Sequence, residues 1–204
     1  MGKIWKRLLI CACIPVFVWG FRLFSDRQQL RRELIRFHVV ANSDAPQDQA
    51  VKLRVRDAVL KSIRGDLLQV ADMAAARSYL EENLPKIREI ANHTLKTAGF
   101  SQEAAVTLCR EAFDTRIYDT FALPSGVYES LRIVIGEGKG HNWWCVAFPN
   151  LCMSAVSETF SDVAAGAGFS AELTDTLADR ETHQLRFFLL DVLGRGENIL
   201  HGAE

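Results

Sequence analysis

The stretch Gly136 to Cys152, GEGKGHNWWCVAFPNLC, restricts the fold more than any other part of this 204-residue chain. Glycine recurs at positions 136, 138 and 140, bulky apolar residues fill 143 to 148, and Pro149 follows. Alternating glycines predict a tight turn between two strands, the apolar run predicts a strand over 142–148, and the proline predicts a turn ending at Cys152. Adjacent residues of a strand point to opposite faces, so Trp143 and Trp144 cannot both enter the same core. Large aromatic side chains at a surface are the usual anchors of protein recognition. Trp143, Trp144, Lys139, His141 and Phe148 are therefore the candidate partner-binding residues.

Spacing argues against catalysis in this stretch. A phosphate-binding loop needs Gly-Lys followed by Ser or Thr at the start of a helix, whereas Gly140 follows Lys139 and a strand comes next. His141 and Cys145 share a face of an extended segment but lie about 13 Å apart, too far for proton transfer. Paired carboxylates, a strained nucleophile turn and histidines at metal-ligand spacing are all missing from the sequence. No catalytic, cofactor-binding or metal-binding residue is nominated, and no cofactor is expected. An exported thiol-dependent hydrolase using Cys145, with His38 brought near by the fold, stands as the alternative reading.

Lys3, Lys6 and Arg7 precede an apolar run from Leu8 to Phe24 broken only by Arg22. That order of charge and hydrophobe is the form of a secretory signal, and about 17 residues is the lower edge of what spans a bilayer. Residues 1–25 read as a cleaved signal or an uncleaved membrane anchor, so the body is expected outside the cytoplasm. There, Cys145 and Cys152 can close the proline turn as a disulfide, leaving Cys109 as an unpaired thiol. Without the first 25 residues the chain holds 20 basic against 25 acidic residues. A mildly acidic body offers no nucleic-acid footprint.

The remaining pattern predicts an α+β fold in one domain, with an antiparallel or mixed sheet and three to four helices. Residues 26–33 read as a solvated linker or helical stalk, 34–193 as the domain and 194–204 as a flexible tail. A strand is expected over 34–41, followed by a helix to Ile63 that starts at a capping box of Asp44 and Gln47 and is closed by Gly65. Lys52, Arg54, Arg56 and Lys61 form its basic face, solvated or turned to an acidic partner or anionic lipid. Asp72 caps a helix to Glu82, and Pro85 opens another that Gly99 ends. Strands are expected over 104–113, 115–123 and 132–135, a short helix over 128–131, a short helix from Ser170, and a central strand over 183–193.

Two blocks carry a resemblance. IRFHVVANSDAPQDQAVKLRVRDAVL, from Ile35 to Leu60, and LRIVIGEGKGHNWWCVAFPNLC, from Leu131 to Cys152, resemble the stage II sporulation protein R family of endospore-forming bacteria over roughly residues 30–153. The resemblance implies a signalling protein without catalysis of its own, made in the forespore and exported across its membrane. Its implied partner is the membrane-embedded aspartic protease of the mother cell, stage II sporulation protein GA, which processes the sigma-E precursor. The N-terminal segment implies membrane association, and the implied place of action is the space between the forespore and mother-cell membranes.

Overall fold

The computed structural model describes residues 2–149, 151 and 160–201, with side chains from residue 13 onward. In chain order its elements are α1 (Gly2–Glu33), β1 (Ile35–Val40), α2 (Pro46–Leu67), α3 (Met73–Thr97), β2 (Ala104–Phe113), β3 (Arg116–Ile117), β4 (Ala122–Leu123), β5 (Gly126–Ile135), β6 (Asn142–Phe148), α4 (Phe160–Gly166), α5 (Ala171–Ala178) and α6 (Gln184–His201). The main sheet has the order β2-β5-β1-β6, while β3 and β4 form a separate two-stranded ribbon. β5 runs parallel to β1, and both edge strands are antiparallel to their neighbours. The fold is α+β with a mixed sheet, and the described residues form six helices rather than three to four.

Every residue of β1 is buried, because it lies inside the sheet with helices on both faces. One face packs Phe37, Leu131 and Ile133 against Val55 and Val59 of α2 and Leu80 and Leu95 of α3. On the other, Tyr128, Phe113 and Val146 meet Leu30 of α1, Leu173 and Leu177 of α5 and Leu190 of α6. Three layers result, with the sheet in the middle.

Local signals that agree with burial survive in the structure. Asp72 caps α3 by accepting from the Ala75 N–H at 2.8 Å. At its other end Gly99 adopts φ 83°, with Gly99 N–H donating to Lys96 O and Phe100 N–H to Leu95 O. That pair of bonds is a Schellman closure, and glycine takes the left-handed position at little cost.

Signals that oppose burial were overridden. α3 is a single helix through Pro85, where two were expected. A proline in a helix interior costs about 3 kcal/mol. Ile87 and Leu95 beyond it are 1% and 0% exposed, and burying two such side chains contributes about 3–6 kcal/mol. Continuity of the buried stripe Ala76, Leu80, Ile87, Ala91 and Leu95 therefore wins. Residues 128–131, expected as a helix, lie within β5, which is hydrogen-bonded on both edges. Conversely, the expected strand over 183–193 is helical from Gln184: Phe187, Leu190, Asp191 and Gly194 are buried at helical spacing, and α6 continues through the expected tail to His201. A short run that is apolar at nearly every position does not distinguish a central strand from a helix.

Three further expectations change. Gly65 lies inside α2, which extends to Leu67, and α2 begins after Ala45 with no side-chain cap. Residues 26–33 are no solvated linker: within α1, Asp26, Arg27 and Leu30 are 6%, 3% and 0% exposed. Arg27 donates to Ser125 O at 2.9 Å and to Glu197 at 2.6 Å, and Asp26 pairs with Arg186 at 2.7 Å. Among the described residues no helix is long and apolar enough to cross a membrane.

Candidate functional site

β5 and β6 are not hairpin neighbours, since β1 lies between them. The glycine loop must therefore cross the end of β1, a span of about two strand spacings or 10 Å. Its backbone runs against the residues that leave β1: Gly140 N–H donates to Ala41 O at 2.9 Å and Lys139 N–H to Asn42 O at 3.1 Å. Glu137 N–H donates to Asn42 Oδ1 at 3.0 Å, and His141 N–H to Asp44 Oδ1 at 2.6 Å. A Cβ on Gly140 would collide with the Ser43 carbonyl, and one on Gly136 with the Asn42 side chain. The close approach, together with φ of 57° at Gly136 and 64° at Gly138, explains the glycines.

The socket is braced from α2. Asp48 is buried and accepts from Ser43 Oγ at 2.5 Å and Asn42 Nδ2 at 2.9 Å, bonds that hold its carboxyl below the usual range. Lys52 of the expected basic face is buried too, its ammonium donating to His141 O at 2.9 Å, and burial pushes its pKa down. The expected capping residue Asp44 serves the loop instead. Its carboxyl is held low by hydrogen bonds from the His141 backbone and then from its ring at 2.5 Å.

The two tryptophans diverge as adjacent strand residues must. Trp143 packs edge-on to Phe37 at 5.8 Å on the α2/α3 face, under the Arg56 guanidinium at 4.7 Å. Trp144 lies on the opposite face, stacked on His38 at 3.7 Å, with Phe113 at 5.1 Å and Arg116 over its ring at 4.7 Å. With Asp44, Arg116, Lys139, His141 and Asn142 it lines a cleft of about 430 Å³. Three of the five nominated residues, Lys139, His141 and Trp144, thus meet at one cleft. Trp143 is on the other side of the sheet, and Phe148 is 7% exposed within the core. The Lys139–Glu137 pair at 2.7 Å is a solvated surface contact.

Under Trp144 lies a polar cluster that no sequence signal singled out. His38 Nδ1 is 3.0 Å from Glu111 Oε1, and Arg132 is 3.7 Å from the same carboxylate. Burial opposes ionisation of Glu111, but His38, Ser130 and Arg132 outweigh it and hold the carboxyl below its usual range. Arg36, fully buried, donates to Tyr118 Oη at 3.0 Å and Cys145 O at 3.4 Å and covers the Phe113 ring at 4.4 Å. Arg36 and His38 on β1, Glu111 on β2 and Ser130 and Arg132 on β5 share one face of the sheet by register. Each sits at an alternate position of its strand, yet only the tertiary order β2-β5-β1-β6 puts them together.

The thiol alternative loses its geometry. Cys145 pairs with Phe37 and so faces α2 and α3, whereas His38 faces the other way. Cys109 is a half-buried free thiol, and burial followed by the nearby Glu111 charge pushes its pKa up, away from thiolate chemistry. Cys152, the expected disulfide partner of Cys145, lies outside the described residues. Among the described residues no cluster of His, Cys, Asp and Glu could hold a metal ion.

A family model described as Stage II sporulation protein R (spore_II_R) matches residues 31–158. The chain belongs to the stage II sporulation protein R family. It is similar to Stage II sporulation protein R of Bacillus subtilis (strain 168), with 33% identity over 165 residues covering 81% of this chain and 69% of that protein. No solved structure matches. Among the described residues the family segment holds β1 to β6, α2 and α3, while α4, α5 and α6 lie beyond it. The two blocks singled out in the sequence, 35–60 and 131–152, meet at the glycine loop and its socket.

Proposed function

We propose that the chain is an exported signalling protein of endospore formation that binds and activates a membrane-embedded aspartic protease, stage II sporulation protein GA, leading to processing of the sigma-E precursor. Membership of the stage II sporulation protein R family carries this reading. It is supported by an N-terminal order of Lys3, Lys6 and Arg7 before an apolar run, and by the exposure of Phe17, Phe21 and Phe24 along α1. Such a segment suits export, as a signal or as an anchor in the forespore membrane. The protein then acts between the two membranes and supplies no catalysis, with the cleft at Trp144, Lys139 and His141 as the face turned to the protease. In that oxidising space Cys145 and Cys152 form a disulfide.

The test is addition of the purified protein to cells that carry the protease and the sigma-E precursor but lack their own copy of this activator. Processing should rise, and no rise with correctly folded protein sinks the reading. The mass of the non-reduced mature protein reports separately on signal cleavage and on the two hydrogens lost in a disulfide.

A further inference from the structure

α6 is apolar on the side it turns away from the molecule. Leu185, Phe188, Val192, Leu193, Ile199 and Leu200 are 44% to 74% exposed. At 3.6 residues per turn they fall within an arc of about 140° of the helix, and Leu189 and Gly196 are the other residues of α6 in that arc. No charged or hydrogen-bonding side chain occupies it, and the exposed Arg195 stands at its edge. The inner side of the same helix is satisfied by the protein: Phe187 and Leu190 enter the core, Asp191 accepts from the Ser125 N–H, and Glu197 pairs with Arg27. Six large side chains, each with on the order of 100 Å² uncovered, make a patch of about 600 Å², and contiguous apolar surfaces of that size mark a contact.

The patch adjoins the exposed apolar part of α1. Arg186 pairs with Asp26, and Glu197 with Arg27 and Arg31. α6 is thereby held against the turns of α1 that follow the exposed Phe17, Phe21 and Phe24, and its first turn lies beside Asp26, two residues past Phe24.

We propose that the outer face of α6 lies on a phospholipid bilayer, in the plane of the interface, beside the place where α1 meets the same membrane. The proposal rests on the membrane reading of α1 given above and adds a second contact, which α6 makes outside the segment that the family model matches. Among the described residues no helix is long and apolar enough to cross a membrane, so α6 lies on the bilayer and not through it. Lipid fits this face better than a protein partner does. A protein interface carries about one hydrogen bond per 100–200 Å², so a face of this size would hold about three to six polar groups, and it holds none. A second copy packed stripe on stripe would bury about 600 Å² per chain, short of the roughly 800 Å² of a standard specific contact, with no polar group to set its register. Arg195 at the edge suits the same arrangement, its stem along the apolar face and its guanidinium among the head groups.

The experiment places the full-length protein in phosphatidylcholine nanodiscs and follows its backbone amides by NMR, once with a lipid carrying a doxyl spin label near the head of its acyl chain and once with a water-soluble gadolinium chelate. The lipid label should erase the amide signals of Phe188, Val192 and Ile199 along with those of Phe21 and Phe24, and spare Glu82 and Lys86 of α3, which lies across the sheet from α6. The gadolinium chelate should do the reverse. Phe188→Glu combined with Ile199→Glu should restore the α6 signals in the presence of the lipid label and leave Phe21 and Phe24 erased; both side chains lie outside the core, so the fold persists. Retention of the α6 signals with the lipid label while those of Phe21 and Phe24 vanish would overturn the α6 contact and leave the α1 reading standing. Shielding of α6 from both agents would assign the stripe to a second copy and overturn the lipid assignment. Retention at α1 and α6 alike would remove both membrane contacts. None of these outcomes depends on the processing assay, so protease activation and membrane contact fail separately.

Discussion

Gly140→Ala and Gly65→Ala are the same chemical change with opposite expected signs, and together they test whether the glycine loop is docked as described. At Gly140 the new Cβ would meet the Ser43 carbonyl and the Ala41 Cβ, and most of the obstruction is backbone that cannot rotate away. Overpacking of this kind costs about 1–3 kcal/mol. Relieving it by moving the loop weakens the bonds from Gly140 N–H to Ala41 O and from Lys139 N–H to Asn42 O, each worth about 0.5–1.5 kcal/mol. Reduced unfolded-state freedom returns about 0.4–1 kcal/mol. The net expectation is a loss of about 2–4 kcal/mol. Gly65 sits inside α2 with nothing within 4 Å of a built Cβ, so alanine there should stabilise by about 0.5–1 kcal/mol. Equilibrium urea unfolding followed by circular dichroism measures both. If Gly140→Ala lies within about 0.5 kcal/mol of the parent, or if both substitutions destabilise alike, the docking argument is refuted.

Replacing Pro85 by Ala restores a donor opposite the Glu81 carbonyl in the exposed middle of α3, and should stabilise by about 1–3 kcal/mol in the same assay; a loss would mean that the helix depends on the proline. Asp48 has a folded pKa depressed below its ordinary 3.8, so its contribution is fully present above about that pH and disappears as pH falls through the lower folded value. Asp48→Asn should therefore lower stability at pH 7 and reduce the further loss between pH 4 and pH 2, read from urea midpoints across that range. Trp143→Ala removes a ring packed on Phe37 in the core and should cost about 3 kcal/mol or more of stability. Trp144→Ala should impair protease activation more than folding; equal loss of both would assign Trp144 to the core.

Elements whose local chemistry coincides with their burial were legible from the sequence. β2 and β6 have the bounds their alternation suggests, the Asp72 cap and Gly99 closure are where the residue types put them, and Ser170 caps α5 by accepting from the Leu173 N–H. Propensity misled where tertiary burial opposed it, at Pro85 and over 128–131, and where an apolar run carries no period, as in α6. Of the candidate site, the sequence singled out Lys139, His141 and Trp144. Glu111, Arg116 and Arg132 were missed because each is an ordinary charged residue until the strand order sets Glu111 and Arg132 beside His38 and the β3-β4 ribbon lays Arg116 over Trp144.

By itself the sequence determined that this is an α+β chain of the stage II sporulation protein R family, with a glycine loop and paired tryptophans at its centre. The family rests on the resemblance of the two blocks and the match of the family model, while the element types follow from residue types and spacing along the chain. Only the tertiary structure decided what the glycines are for. The insertion of β1 between β5 and β6 forces the loop over Ala41–Asp44, where there is no room for a Cβ, and the same strand order gathers Arg36, His38, Glu111, Ser130 and Arg132 on one face of the sheet. Sheet order depends on contacts between residues up to about a hundred positions apart, such as Phe37 with Cys145, and no local pattern encodes them.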